Sequence, residues 1–215
     1  MGKLIVLEGI DGAGKTTIAN RLALKLSENY DAVFLDKKSI DCSSNYVRKF
    51  MENIKKSLWQ SKINDPVEKI DEETWLYLHV LWYRLMQEHV IKEKLGKHDY
   101  VILDGWIYKF WARHYCNGDF DFEYSENILK RLRQADRVFL LDVSPEESYV
   151  RKKEIKRSEL GAHGMIEGKD KKEQFINYQE KMRGEYLKFA DEYSFEIIQA
   201  QDSIENIINQ ILCKI

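Results

Sequence analysis

Proline is nearly missing from this chain, with two in 215 residues. So few helix breakers leave room for long helices. Cysteine is scarce too. Cys42, Cys116 and Cys213 are three in number and far apart, which excludes a paired disulfide framework and a C-x-x-C metal site and points to reduced thiols. Long apolar runs are lacking. The run at residues 4–7 is far too short for a membrane span or a signal-peptide core, and Val6 stands where a myristoylation motif needs Ser or Thr. Net charge is also lacking: 34 Lys and Arg against 36 Asp and Glu leave a formal charge of -2. Such a balance gives no general attraction to a nucleic acid polymer, so any anion site must come from local placement of charge. At 44% hydrophobic and 33% charged, the composition is that of a globular chain with a core. The expectation is one domain over residues 1–215, in the cytoplasm, with no membrane partner.

Short apolar runs alternate with longer amphipathic stretches. The runs lie at residues 4–7, 33–35, 101–103, 138–143 and 195–198. Unbroken apolar strands are buried on both faces, which indicates a parallel sheet between helix layers. Helical patterns cover residues 16–26, 47–58, 72–95, 125–132, 173–193 and 204–212. This alternation predicts an α/β fold, a doubly wound parallel sheet of about five strands. One segment differs in kind. From about 151 to 172 the chain is dense in Lys and Arg and passes Gly161, Gly164 and Gly168, the composition of a flap.

Gly9-Ile10-Asp11-Gly12-Ala13-Gly14-Lys15-Thr16 matches G-x-x-x-x-G-K-[ST] at every fixed position, with a strand before it and a helix after it. Glycines let the backbone curl so that its N–H groups point at phosphate oxygens, and the helix adds the positive end of its dipole. Gly9, Asp11, Gly12, Ala13, Gly14, Lys15, Thr16 and Thr17 are therefore the expected cradle for the phosphates of ATP. Lys15 would reach the β- and γ-phosphates and Thr16 would offer its hydroxyl to Mg²⁺. Such a cradle does not specify the reaction. Asp104 closes the third strand at the carboxyl edge where ligands collect, and is either a Mg²⁺-associated carboxylate or the cap of the next helix. Glu8, also at a strand end, either positions an acceptor or hydrogen-bonds the loop.

The run from Ile5 through Thr17 resembles the start of a thymidylate kinase. Residues 91–95 with 101–104, then 141–146, then 178–183 with Tyr186, Leu187 and Ala190 are similar to later segments of that family in the same order. The resemblance implies a P-loop NTPase fold with a basic lid, and an enzyme that passes the γ-phosphoryl of ATP to dTMP with Mg²⁺. It also implies a homodimer. Arg84 matches the family arginine that contacts the acceptor, and it lies near Trp75, Tyr77, Trp82 and Tyr83. Aromatic surface beside a cation suits a nucleobase with a phosphate.

Two departures fall on the acceptor side. After the third strand the family usually has Asp-Arg and then Tyr or His, whereas this chain has Asp104-Gly105-Trp106. Lys109 or Arg113 can replace that arginine if the segment is helical. In place of an arginine-bearing acceptor loop stand Lys37 and Lys38, point charges instead of forks. The cradle carries no arginine of its own, and in the family such enzymes place catalytic arginines in the lid. Arg151, Lys153 and Arg157 fit that arrangement. The resulting expectation is a nucleoside monophosphate kinase with Lys15, Asp104, Arg151 and Arg157 as catalytic residues. Glu8, Lys38, Arg84, Lys109 and Arg113 would serve the acceptor, and Thr16 and Asp104 the metal. Two alternatives stay open: a kinase for a deoxynucleoside or other small molecule, with Glu8 as base, and a nucleotide-binding module without catalysis.

Overall fold

Leu4, Ile5, Val6 and Leu7, within the first strand β1 (Lys3–Glu8), are all 0% exposed. Side chains alternate between the faces of a strand, so burial of all four requires cover on both sides. The computed structural model, which describes residues 2–59, 70–117, 121–161, 168 and 170–215, shows that cover. Its other strands are β2 (Ala32–Leu35), β3 (Tyr100–Leu103), β4 (Arg137–Asp142) and β5 (Glu196–Gln199). They form a five-stranded sheet in the order β2-β3-β1-β4-β5, and every adjacent pair is parallel. The expected α/β parallel architecture is thus observed. Full burial holds for the interior of the sheet only. In the edge strand β2 only Leu35 is buried, and Ile197 of β5 is 44% exposed.

The helices are α1 (Lys15–Leu26), α2 (Asn45–Trp59), α3 (Glu72–Met86), α4 (Lys92–Leu95), α5 (Ile107–Asn117), α6 (Phe122–Leu129), α7 (Pro145–Arg151), α8 (Lys171–Glu192) and α9 (Ile204–Leu212). Helix α1 packs on β2 and β3 with α9 beside it, while α8 lies on β4 and packs against α5 and α7. The single helix expected over residues 72–95 is instead three pieces, because a π turn at Gln87–Ile91 joins α3 to α4. Helix α7 and the 3₁₀ turn Arg157–Glu159 were not expected. The sequence does mark the first: Ser144 Oγ accepts a hydrogen bond from Glu147 N at 3.3 Å, and Pro145 follows at the first helical position. Of the expected flap, residues 162–167 and 169 lie outside the described residues. Among the described residues, no helix is long and apolar enough to cross a membrane.

After β1 the chain passes through α1 to β2, beyond the place β3 will take, and after β3 it crosses to β4 on the other side of β1. The carboxyl ends of β1, β3 and β4 therefore meet at a switch point, where open α/β sheets form their ligand crevice.

Candidate active site

Gly9 follows β1 directly. A Cβ there would lie 2.6 Å from Leu141 O of β4, and one on Gly12 would lie 2.6 Å from Ser148 Oγ of α7. Both positions have positive φ, 144° and 90°, so only glycine lets the loop lie this close to its neighbours. Gly14 caps α1 with φ 93° and no side-chain bond, which leaves the helix N–H groups available. Lys15 is only 8% exposed, and its Nζ donates to Gly9 O and Ile10 O at 2.7 Å each. Burial lowers its pKa, against the raising pull of Asp11.

Thr16 Oγ1 donates to Asp104 Oδ2 at 2.6 Å, and Lys37 N donates to Asp104 Oδ1 at 3.4 Å. Asp104 is thus beside the Thr16 hydroxyl, as the metal reading requires, and it follows β3 without capping α5 through an observed bond. A cleft of about 700 Å³ runs along the cradle; it is also lined by Lys37, Lys38, Asp104, Lys109, Arg151 and Asp202.

The region after Asp104 is helical, as the compensation argument required, and it brings both of its cations to one carboxylate. Lys109 Nζ pairs with Asp11 Oδ1, and Arg113 lies 3.8 Å from Asp11 Oδ2. Burial would raise the pKa of Asp11, but Lys109, with Arg113 and Lys15, overrides it and holds the carboxyl well below its usual range. Burial pulls Lys109 down to about 7 despite Asp11. Arg113 also donates to Ser158 O at 2.6 Å and is not part of the cleft lining. The space next to Gly105 is occupied from elsewhere. A Cβ on this residue, φ 95°, would lie 3.2 Å from Lys37 Nζ. Lys37, from the loop after β2, is therefore the cation beside Gly105.

Other expected residues fall in different places. Glu8 is 0% exposed; Oε1 accepts from Trp106 N at 2.6 Å and Oε2 from Tyr186 OH at 3.1 Å. Burial raises its pKa. Neither bond goes to the cradle loop that Glu8 was expected to hold; it holds the loop after β3 and Tyr186 of α8. Lys38 lines the cleft with its ammonium 5.0 Å over the Trp59 ring. Arg151 reaches the cleft but is engaged by Glu147 and by Ala200 O at 2.7 Å. Arg157 is exposed on the 3₁₀ turn and Lys153 is exposed after α7. Arg84 is not brought to the cleft. Its side chain is 57% exposed and lies 3.6 Å from Glu88, because at its place on α3 it faces solvent while Trp82 and Tyr83 turn inward.

Sequence reasoning missed the polar face of α8. Gln179 accepts from Asp11 N at 3.0 Å, Arg183 grips Asp142 through Nε and Nη2 at 2.6 and 2.9 Å, and Tyr186 meets Glu8. Their spacing, i, i+4 and i+7, was the available signal: polar groups recur where an amphipathic helix should show its buried stripe.

A parallel sheet with a glycine-rich phosphate cradle at its switch point, and a hydroxyl–carboxylate pair beside the cradle lysine, defines a P-loop nucleotide-binding protein. A family model for thymidylate kinase matches residues 7–211. A probable thymidylate kinase of Thermococcus kodakarensis is 30% identical over 214 residues, covering 98% of this chain and 96% of its own. Another, from Sulfurisphaera tokodaii, is 29% identical over 229 residues and covers 100% and 98%. A thymidylate kinase of Prochlorococcus marinus is 26% identical over 216 residues and covers 98% and 93%. The chain belongs to the thymidylate kinase family, phosphotransferases of the nucleoside monophosphate kinase class that use ATP and Mg²⁺.

Proposed function

We propose that this protein transfers the γ-phosphoryl group of ATP to a nucleoside monophosphate, with dTMP the acceptor that its relatives' names point to. The observation that carries the reading is the convergence of the cradle, Lys15, the Thr16–Asp104 pair, Lys37 and Lys109 on one cleft. An anionic oxygen of the acceptor phosphate attacks the γ-phosphorus in line. The new P–O bond forms as the bond to the β,γ-bridging oxygen breaks, and that oxygen leaves with the electron pair on ADP. The attacking oxygen is already ionised near neutral pH, so no strong base is needed. Lys15 exchanges its two carbonyl partners for phosphate oxygens. Lys37 and Lys109 face the acceptor phosphate.

Thr16 and Asp104 are hard oxygen donors that fit Mg²⁺. Among the described residues there is no cluster of three metal-ligating side chains, which suits an ion completed by phosphate oxygens and water. Bound there, Mg²⁺ would offset charge building on the transferred group. The proposal includes a basic lid over about residues 151–172 that carries Arg157 to the phosphates, a homodimer as the assembly and the cytoplasm as the compartment. A nucleoside acceptor would need a base for its hydroxyl, and Glu8, the residue expected for it, is 0% exposed, with its two oxygens accepting from Trp106 N and Tyr186 OH. The test is ADP release over a panel of nucleosides and monophosphates. Turnover with dTMP or another monophosphate supports the reading. Turnover with thymidine alone, or binding of ATP without transfer to any acceptor, overturns it.

A further inference from the structure

Gln179 has no place in the mechanism above, yet it is 0% exposed and uses both ends of its amide. Oε1 accepts from Asp11 N in the cradle at 3.0 Å, and Nε2 donates to Glu159 O in the 3₁₀ turn at 3.1 Å. The orientation of the amide is forced, since a backbone N–H can only donate and a carbonyl can only accept. Gln179 is therefore a two-sided bridge from the phosphate cradle to the basic segment.

Three further contacts run beside it. Ser148 Oγ of α7 donates to Asp11 O. Arg113, beside Asp11, donates to Ser158 O at 2.6 Å. Glu159, 5% exposed, pairs with Lys152 Nζ at 3.0 Å and accepts from Lys156 N at 3.1 Å. Asp11 thus spends both backbone groups on the neighbouring elements. A buried amide joining two backbones has one good geometry, and losing it strands two buried polar groups. The cradle and the turn that carries Arg157 are thus joined by direct hydrogen bonds.

We propose that Gln179 is a positioning residue that couples occupation of the phosphate cradle to the placement of the 157–159 turn. It does so without touching either substrate. The inference rests on the donor-site reading above, in which the cradle takes the phosphates and Arg157 approaches them.

Two variants separate the bridge from the volume that fills its place. Gln179→Met keeps length and volume and removes both hydrogen bonds. Gln179→Glu is the rescue: burial holds it protonated, so one oxygen accepts from Asp11 N while its hydroxyl donates to Glu159 O. Trypsin cleavage after Lys153, Lys156 and Arg157 is measured with and without a non-hydrolysable ATP analogue and Mg²⁺. Analogue affinity, melting temperature and steady-state kinetics are measured beside it. In the wild type the analogue should slow cleavage at least about fivefold. In Gln179→Met that protection should fall below about twofold while the analogue binds within about fivefold of wild type, and kcat should drop about tenfold or more with the acceptor KM unchanged, whereas Gln179→Glu should keep most of the protection and turnover. Full protection in Gln179→Met overturns the coupling. Loss of analogue binding in step with a lowered melting temperature in Gln179→Met makes Gln179 merely structural and overturns it as well. The proteolysis reads on the ATP analogue alone. A wild type that is protected but inactive on every monophosphate would sink the proposed function and leave the coupling standing.

Discussion

The half of the cleft proposed for the donor presents backbone, whereas the half proposed for the acceptor presents side chains. Around the cradle, Gly9, Gly12 and Gly14 hold the chain in conformations that aim N–H groups inward, and one buried lysine closes the loop on its own carbonyls. On the acceptor half, Lys37 leaves a loop after an edge strand and Lys109 stands on α5. The first arrangement is encoded within eight consecutive residues, Gly9 to Thr16. The second depends on elements far apart in the chain: Lys37 Nζ next to Gly105, and Lys109 on Asp11. Backbone donors at a helix start cost little reorganisation and suit any polyphosphate. Side-chain ammoniums on separate elements can be removed one at a time while the cradle backbone stays in place.

The comparison is broken most severely at Lys15. Lys15→Ala should lower kcat by about 10²- to 10³-fold, the scale of removing one preorganised charge contact, and wild-type turnover in a folded variant would remove the donor half from the account. Acid should act instead on the packing of α3 and α5. Burial lowers His79, stacked on Phe110 at 4.1 Å, and His114 to about 4 from 6.5. Between those values the unfolded chain binds more protons, so stability is full above pH 6.5 and is lost as pH falls toward 4. The loss is at most roughly 3 kcal/mol for each imidazole. His79→Phe should therefore move the acid-unfolding midpoint to lower pH; an unchanged acid limb would show that His79 is not held neutral in the fold.

Lys37→Ala and Lys109→Ala come next. Each should raise the acceptor KM about tenfold and leave the ATP KM nearly unchanged, the expected cost of one charge-assisted hydrogen bond. Equal rises in both KM values would erase the distinction between the halves. The smallest effect belongs to Arg84. As an exposed partner of Glu88, its replacement by alanine should change kcat and both KM values by less than about twofold. A tenfold rise in acceptor KM would return it to the site.

Legibility in the sequence followed how local each feature is. Strand β1 was plain because four successive apolar residues admit only two-sided burial, and α9 was bounded correctly by its apolar face. Helix α5 was left conditional. Its Lys109 and Arg113 turn inward to Asp11, which spoils the pattern of a polar outer face that helix reading relies on. The π turn at Gln87–Ile91 escaped because one extra residue in a turn changes no composition.

By itself the sequence determined the parallel α/β class and the glycine-rich loop between β1 and α1. These rest on hydrogen-bond geometry and apolar spacing within single segments. Only the tertiary structure decided that Lys37 stands beside Gly105, that Arg84 faces solvent, that Glu8 holds the loop after β3 and that Gln179 joins the cradle to the basic turn. The partners of a buried charge or amide are chosen by which segments meet across the sheet edge. A partner 168 positions away, as Gln179 is from Asp11, leaves no trace in local spacing.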